Sequence, residues 1–277
     1  VDVVNRRGNC FRTALLFALI EQARNRLALL IVLLFVPLWM TLAFEVVARI
    51  PLRFHVRSAG RWLVMDANIL TQVTGALQAL SLVIAFMMFI ATARSAPFDR
   101  RLVQAGYPPS SLMAAKCVTL FLVAAVVALY ATAWTHLLWH PKQPVVFAAG
   151  MFAGALVYGG FGIVLAAVLR SELAGMFLAI MTSSTDLLLQ NPMINPDADS
   201  PFIRYLPAHG AVQTSVAAGS LLTVPWSSLL LGAGWALGMA AVGMTTFVVR
   251  TRAQRTRGTE TLYKKADSSV VPASPTP

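Results

Sequence analysis

Two carboxylates, Glu45 and Asp186, stand within long apolar runs of this 277-residue chain. A charge at the centre of a bilayer costs about 2.5–3.5 kcal/mol on insertion scales, so each must face protein or water. Asp186 closes the stretch MTSSTD, which puts Thr182 and Asp186 four apart on one helical face. Thr182, Ser183, Thr185 and Asp186 are therefore candidates for a polar substrate path or a subunit interface. The alternative is that the hydroxyls bond back to their own helix carbonyls while Asp186 is hydrated near the outer surface. Glu45 precedes Arg49 by four residues and is expected to pair with it at the outer interface. His136 and His140 have the spacing of two zinc ligands on one helix, yet Leu follows His136 where a zinc hydrolase needs a Glu, and a third ligand is not evident. No metal site is expected. None of Lys116, Lys142, Lys264 and Lys265 follows a Gly or precedes Ser or Thr, so there is no G-x-x-x-x-G-K-[ST] phosphate cradle. There is no G-x-S-x-G elbow either. No catalytic or cofactor-binding residue is assigned.

Only a membrane scaffold can position such residues. Apolar residues make up 57% of the chain and charged residues 12%, with a mean hydropathy of +0.70, far from the averages of a soluble domain. Runs of about 20 apolar residues, enough to cross about 30 Å of hydrocarbon, occur six times: at 27–48, 69–93, 112–135, 145–169, from after Glu172 to about 190, and 226–249. The expected fold is an all-α membrane protein of six transmembrane helices. An interfacial helix at 11–26 leads into them, and short outer helices, clearest at 211–222, lie between spans five and six as a cap in the outer leaflet. This divides the chain into an N-terminal segment, 1–26, a membrane domain, 27–249, and a basic, then disordered tail, 250–277.

Most of the 22 lysines and arginines fall on one side of this frame if the N-terminus is inside, which places both termini in the cytoplasm. The formal charge of +11 is then anchoring to anionic headgroups, and no nucleic-acid role is implied. The start of the chain lacks the pattern of a cleaved leader. Arg49, Arg53, Arg57 and Arg61 are discordant, recurring every four residues on the outer side. If helical they form one basic stripe; if extended, Phe54 and Val56 face away from Arg53, His55 and Arg57. They either snorkel to headgroup phosphates or form an electropositive exit rim. Cys10 and Cys117 read as free thiols. Gly150 and Gly154, with Tyr158 and Gly162 continuing the spacing, and Gly234 with Gly238, mark close helix packing.

Between spans two and three stands FDRRLVQAGYPPSSLMAAK, 98–116, a basic, turn-rich element that also carries Phe98, Leu102, Val103 and Tyr107. A loop needs the arginines alone; the apolar residues suit a partner. With RNRLALLIVLLFVPLWMTLAF, in which Arg24, Asn25 and Arg26 lead into a span broken by Pro37, and with the later pair Leu206-Pro207, this order of elements resembles permease subunits of type-2 ABC exporters. The resemblance covers the chain to about Arg250, although the acidic-basic run often found after the second span is reduced here to ARSAPFDRRL.

That resemblance implies a cell-membrane exporter subunit that dimerises with a second permease copy or homologue. It has no ATPase site of its own, and ATP and Mg are held by a separate nucleotide-binding subunit. Phe98, Asp99, Arg100, Arg101, Leu102 and Tyr107, with Glu21 and Arg24 of the surface helix, are the docking residues it implies. The cargo it implies is a hydrophobic or amphiphilic small molecule such as a drug, an antibiotic or a lipid. The alternatives are a non-transporting anchor or assembly subunit, or a secondary transporter.

Overall fold

The computed structural model describes residues 2–169 and 171–269, so Arg170 and the end of the tail, 270–277, lie outside the described residues. Eight α-helices are found among the described residues, α1 (Asp2–Arg24), α2 (Arg26–Glu45), α3 (Ala67–Gln104), α4 (Pro109–Leu138), α5 (Pro144–Val168), α6 (Glu172–Leu189), α7 (His209–Ser220) and α8 (Trp226–Ser269). One antiparallel hairpin, β1 (Pro51–Val56) and β2 (Arg61–Asp66), joins α2 to α3. Six of the helices, α2 to α6 and α8 through Thr246, are long and apolar enough to cross a membrane, and each overlaps one of the six apolar runs. The protein is a multi-pass, predominantly helical membrane protein.

Asn25 alone separates α1 from α2. Its backbone leaves the helical region (φ −76°, ψ 77°), and its side chain accepts the Ala28 N–H at 3.2 Å, capping α2. The Arg-Asn-Arg sequence is thus a hinge between two helices. α1 packs along α4 and leaves Leu16, Phe17 and Ile20 exposed.

The largest departure from the sequence expectation is α3. Instead of ending near residue 93 it continues unbroken for 38 residues, with Pro97 inside it. At 1.5 Å per residue it is about 57 Å long, nearly twice the hydrocarbon thickness of about 30 Å. Pro97 removes one backbone donor, while Arg94, Ala96, Arg100, Arg101, Leu102 and Gln104 around it are good helix formers. The stop comes at Gly106, whose φ of 91° is open to glycine. There Tyr107 N–H reaches the Leu102 carbonyl at 2.9 Å and Gly106 N–H the Val103 carbonyl at 3.1 Å, a Schellman closure. Pro108 and Pro109 then launch α4. At the other end of the chain the α8 backbone likewise runs on to Ser269, past the end expected at 249.

α3 is the buried axis, touching α2, α4, α5, α6 and α7, and α5 lies closest to it. A Cβ built on Gly162 would sit 2.3 Å from the Ala85 carbonyl oxygen of α3, and one on Gly150 2.3 Å from Ser215 Oγ of α7. Only glycine permits either approach. Gly154 is wedged between Leu77 and Ala211 in the same stripe. A Cβ built on Gly234 or Gly238, expected to pack in the same way, would meet nothing within 4 Å among the described residues; the glycine of α8 that meets α7 is Gly232, against Gly210. The pair at 234 and 238 falls on the side of α8 turned away from the bundle.

The arginines at 49–61 form no helical stripe. Residues 51–56 are extended, and the strand alternates: Phe54 and Val56 are buried while Arg53 is exposed, which plants the hairpin on the end of the bundle. Arg49 lies over the Phe44 ring at 5.9 Å instead of pairing with Glu45, because α2 stops at Glu45 and the helical spacing is lost. α7, expected as a cap in the outer leaflet at 211–222, starts at His209, and its residues through Gly219 are all buried among α3, α5, α8 and the hairpin. Its Gly, Ala, Ser and Thr side chains are small enough for that.

Gly162→Ala should lower stability by about 1–3 kcal/mol, the usual range for overpacking. Gly238→Ala should leave it within about 0.5 kcal/mol. Thermal unfolding of the two variants in the same detergent measures the difference.

Candidate functional site

Three polar assemblies stand out. At the α1 end, the tip of α3 and the turn after it project from the bundle. Phe98 is 64% exposed, and Arg100, Arg101 and Arg24 are exposed as well; Leu102 and Tyr107 are half-buried. Tyr107 donates its hydroxyl to the Cys10 carbonyl of α1, tying the turn to the surface helix. Asp99 does not share this surface. One helical step from Phe98 it turns inward, 6% exposed, and pairs with Lys116 of α4 at 2.9 Å. Ser95 Oγ bridges the pair, accepting from Lys116 and donating to Asp99 at 3.2 Å. The tip of α3 is thus clamped to α4 by a nearly buried ion pair and to α1 by a hydrogen bond. Glu21 of α1 lies beside this clamp. Desolvation pushes its carboxyl above the usual range, Asp99 adds to the rise, and Lys116 and Arg94 oppose it.

At the opposite end of the bundle Asp186 is 3% exposed and accepts three hydrogen bonds: from the Tyr158 hydroxyl of α5, from Gln190 at 2.6 Å and from the Ala208 N–H at 2.8 Å. Ala208 is the N-cap position of α7, so the carboxylate caps that helix from a different element, at the positive end of its dipole. Protein donors stand where the alternative reading put water. Ser183 donates to the Ile180 carbonyl at 3.2 Å, Gln78 of α3 donates to Ser184 at 3.1 Å, and Thr185 is exposed on the far side of α6. Thr182 is half-buried. Thr185 thus turns away from the other three, and Asp186 is engaged in joining α5, α6 and α7.

The third assembly pins the hairpin. Asp199 accepts from Arg57 at 2.9 Å and lies 3.0 Å from His55 Nδ1, while Gln213 of α7 accepts the Arg57 N–H and donates to the His55 carbonyl, both at 3.1 Å. His209, 4% exposed, lies beneath this network. Burial first, and then the charges of Arg57 and Arg204, depress its pKa to about 4 against an opposing contribution from Asp199. At the same end the rings of His136 and His140 meet edge to face at 4.5 Å.

Several partners were invisible to sequence reasoning. Ser95 and Asp99 have a readable i, i+4 spacing, but their link to Lys116 crosses helices. Tyr158 is legible in the sequence only as a continuation of the glycine spacing, and nothing there marks Asp199 as the partner of Arg57 and His55. No protein-family model and no curated protein matches this chain.

Asp186→Ala leaves the Tyr158 hydroxyl and the Ala208 N–H unpaired in a dry site, and should cost about 1.5–3 kcal/mol. Thr185→Val should cost less than about 0.5 kcal/mol. Chemical unfolding in mixed micelles compares the two.

The His209 shift carries a sign. Between pH 6.5 and about 4 the unfolded chain binds this proton and the folded one does not, so the contribution is full above pH 6.5 and falls as pH drops towards 4. Tm measured from pH 7.5 to 4.5 should decline less steeply in His209→Gln than in the unchanged protein.

Proposed function

We propose that the chain is the membrane-spanning permease subunit of an ATP-driven exporter of hydrophobic or amphiphilic compounds, of the type-2 ABC class. The observation that carries this reading is the tip of α3. A transmembrane helix that continues past the bilayer, exposes Phe98 beside Arg100 and Arg101, and is bolted to its neighbours suits a push delivered from outside the membrane. Force on Phe98 passes along one helix axis, and through Lys116 into α4 and Tyr107 into α1. The bias of basic residues puts this end in the cytoplasm of a cell membrane. The exposed apolar face of α1, Leu16, Phe17 and Ile20, lies in the inner headgroup layer. ATP and Mg are bound by a separate nucleotide-binding subunit docked on this face, and a second permease, identical or homologous, completes the pathway.

Phe98, Arg100, Arg101 and Arg24 make the contact; Leu102 and Tyr107 support it from below. Asp99 positions the element through Lys116. Glu21 belongs to the groove behind it. A second reading, a membrane anchor or assembly subunit, is favoured by Asp186, whose acceptor bonds are used within the fold.

The test is reconstitution in nanodiscs with candidate nucleotide-binding subunits encoded in the same genome. The permease should stimulate ATP hydrolysis by its cognate subunit, and the double substitution Phe98→Ala/Arg100→Ala should reduce that stimulation about tenfold, as expected for loss of about 1.4 kcal/mol at a contact. Stimulation unchanged by the double substitution contradicts the docking site. Folded permease that stimulates none of the candidates favours the anchor reading.

A further inference from the structure

At the hairpin end, away from the α3 tip, an open cleft of about 460 Å³ is bordered by β2, the start of α3, the α4–α5 connection and the end of α7. Its walls are joined to one another. Ser220 donates its hydroxyl to Met65 Sδ at 3.0 Å, tying α7 to β2. The Lys142 and Gln143 N–H groups donate to the Gly219 and Ala218 carbonyls at 3.3 and 3.0 Å, tying the connection to α7. Trp139 donates its indole N–H to Gln72 of α3 at 3.1 Å and stands edge to face with Phe147. A Cβ built on Gly219 would lie 2.7 Å from the Trp139 ring, so glycine leaves the ring its place. The cleft is thus preformed.

Two opposite charges line it, Asp66 and Lys142, with His140 two residues before the lysine. All three are exposed. Asp66 stands at the N-cap position of α3, yet its side chain makes no capping bond. Neither Asp66 nor Lys142 has an ion-pair partner among the described residues, and they do not pair with each other. Leu63, Val64, Ile69 and Trp139 supply an apolar wall, of which Val64 is 66% exposed. The spans of α3 and α5 begin at Ala67 and Pro144 and that of α4 ends at Leu138, so the cleft lies where the spans meet the headgroup layer.

We propose that this cleft binds a phosphate–ammonium zwitterion, as in a phospholipid headgroup, with the phosphate at Lys142 and His140 and the ammonium at Asp66. A ligand carrying both charges gives each side chain a charge-assisted partner. A lone phosphate would face Asp66 as well as Lys142, and a lone amine would face Lys142 as well as Asp66, so one contact of each is repulsive. The volume is within the roughly 300–1,000 Å³ of sites that take a whole small ligand. Val64 and the Trp139 ring offer apolar contact to the glycerol and the first methylenes of a lipid, as aromatic residues at the interface do. The same zwitterion occurs on water-soluble glycerophosphodiesters. The cleft shares no residue with the docking face at the α3 tip and does not depend on an ATPase partner.

The test uses the full chain in uncharged dodecyl maltoside micelles, titrated with dioctanoyl phosphatidylethanolamine, dioctanoyl phosphatidylglycerol and dioctanoylglycerol. Binding is read by native mass spectrometry and by the rise in Tm. Phosphatidylethanolamine should bind about tenfold more tightly than either of the others, and Asp66→Asn should bring it within about twofold of phosphatidylglycerol. Lys142→Gln should weaken phosphatidylethanolamine binding several-fold. Both side chains are exposed, so the Tm of the lipid-free variants should stay close to that of the unchanged protein, which separates loss of the site from loss of the fold. Arg61→Gln, a cation of the same hairpin outside the cleft, should leave the preference intact. Displacement of the bound lipid by glycerophosphoethanolamine supports the proposal with a soluble zwitterion as source; a lipid that it does not displace supports it with the membrane as source. Equal affinity for the three lipids, a preference that survives both Asp66→Asn and Lys142→Gln, or an equal loss in Arg61→Gln overturns it.

Discussion

At Gly162 the backbone of α5 comes so close to the Ala85 carbonyl that a single methyl group would lie 2.3 Å from the oxygen. Apolar side chains gain little by leaving lipid for another apolar side chain, so helices in a bilayer associate by fitting closely, and small residues make that possible. The approach at Gly162, with those at Gly150 and Gly154, places α5 between α3 and α7 and sets the positions of both. Tyr158, on the same helix, then stands where it can reach Asp186, and Asp186 where it can cap α7. The buried polar node follows from the glycine contact: without it, the carboxylate would have to be hydrated or neutral in a medium that holds little water.

The same frame separates the two ends of the molecule by character. At the hairpin end many polar groups bond within the fold: Arg57 and His55 with Asp199, Gln213 with the hairpin backbone, Gln72 with Thr135 and Trp139. At the α1 end the internal bonds are few but strategic. The Asp99–Lys116 pair and the Tyr107 bond to Cys10 fix the position of the α3 tip and leave Phe98, Arg100 and Arg101 facing outward. A nearly buried ion pair is a weak source of net stability but a specific one, since removing one partner strands the other. It is well suited to holding a protruding helix at one angle.

The spans were legible because lipid imposes a length and a composition that few other constraints imitate; the polar run at Met181–Asp186 did not obscure α6. A turn in the Gly106–Pro109 stretch was legible as well, from Gly and two prolines close together, though not as the end of α3. The continuity of α3 was not, because charge and proline usually end a span, and here the helix runs on through both. Burial of Asp99 next to exposed Phe98 and Arg100 could be inferred only once residues 94–104 were known to be helical. The mutual assignment of Asp186 with Tyr158 and of Arg57 with Asp199 joins residues 28 and 142 positions apart, and a single sequence carries no signal for such pairs.

Transmission of a push from the α3 tip requires α3 to be one rigid body from the hairpin to that tip. Double electron–electron resonance between spin labels at Asp66→Cys and Arg100→Cys, with Cys10 and Cys117 replaced by serine, measures this in nanodiscs. A continuous helix gives one narrow distance population near 50 Å, from about 1.5 Å per residue. A broad distribution, or a main population shorter by 10 Å or more, as a hinge near residue 94 would produce, contradicts it.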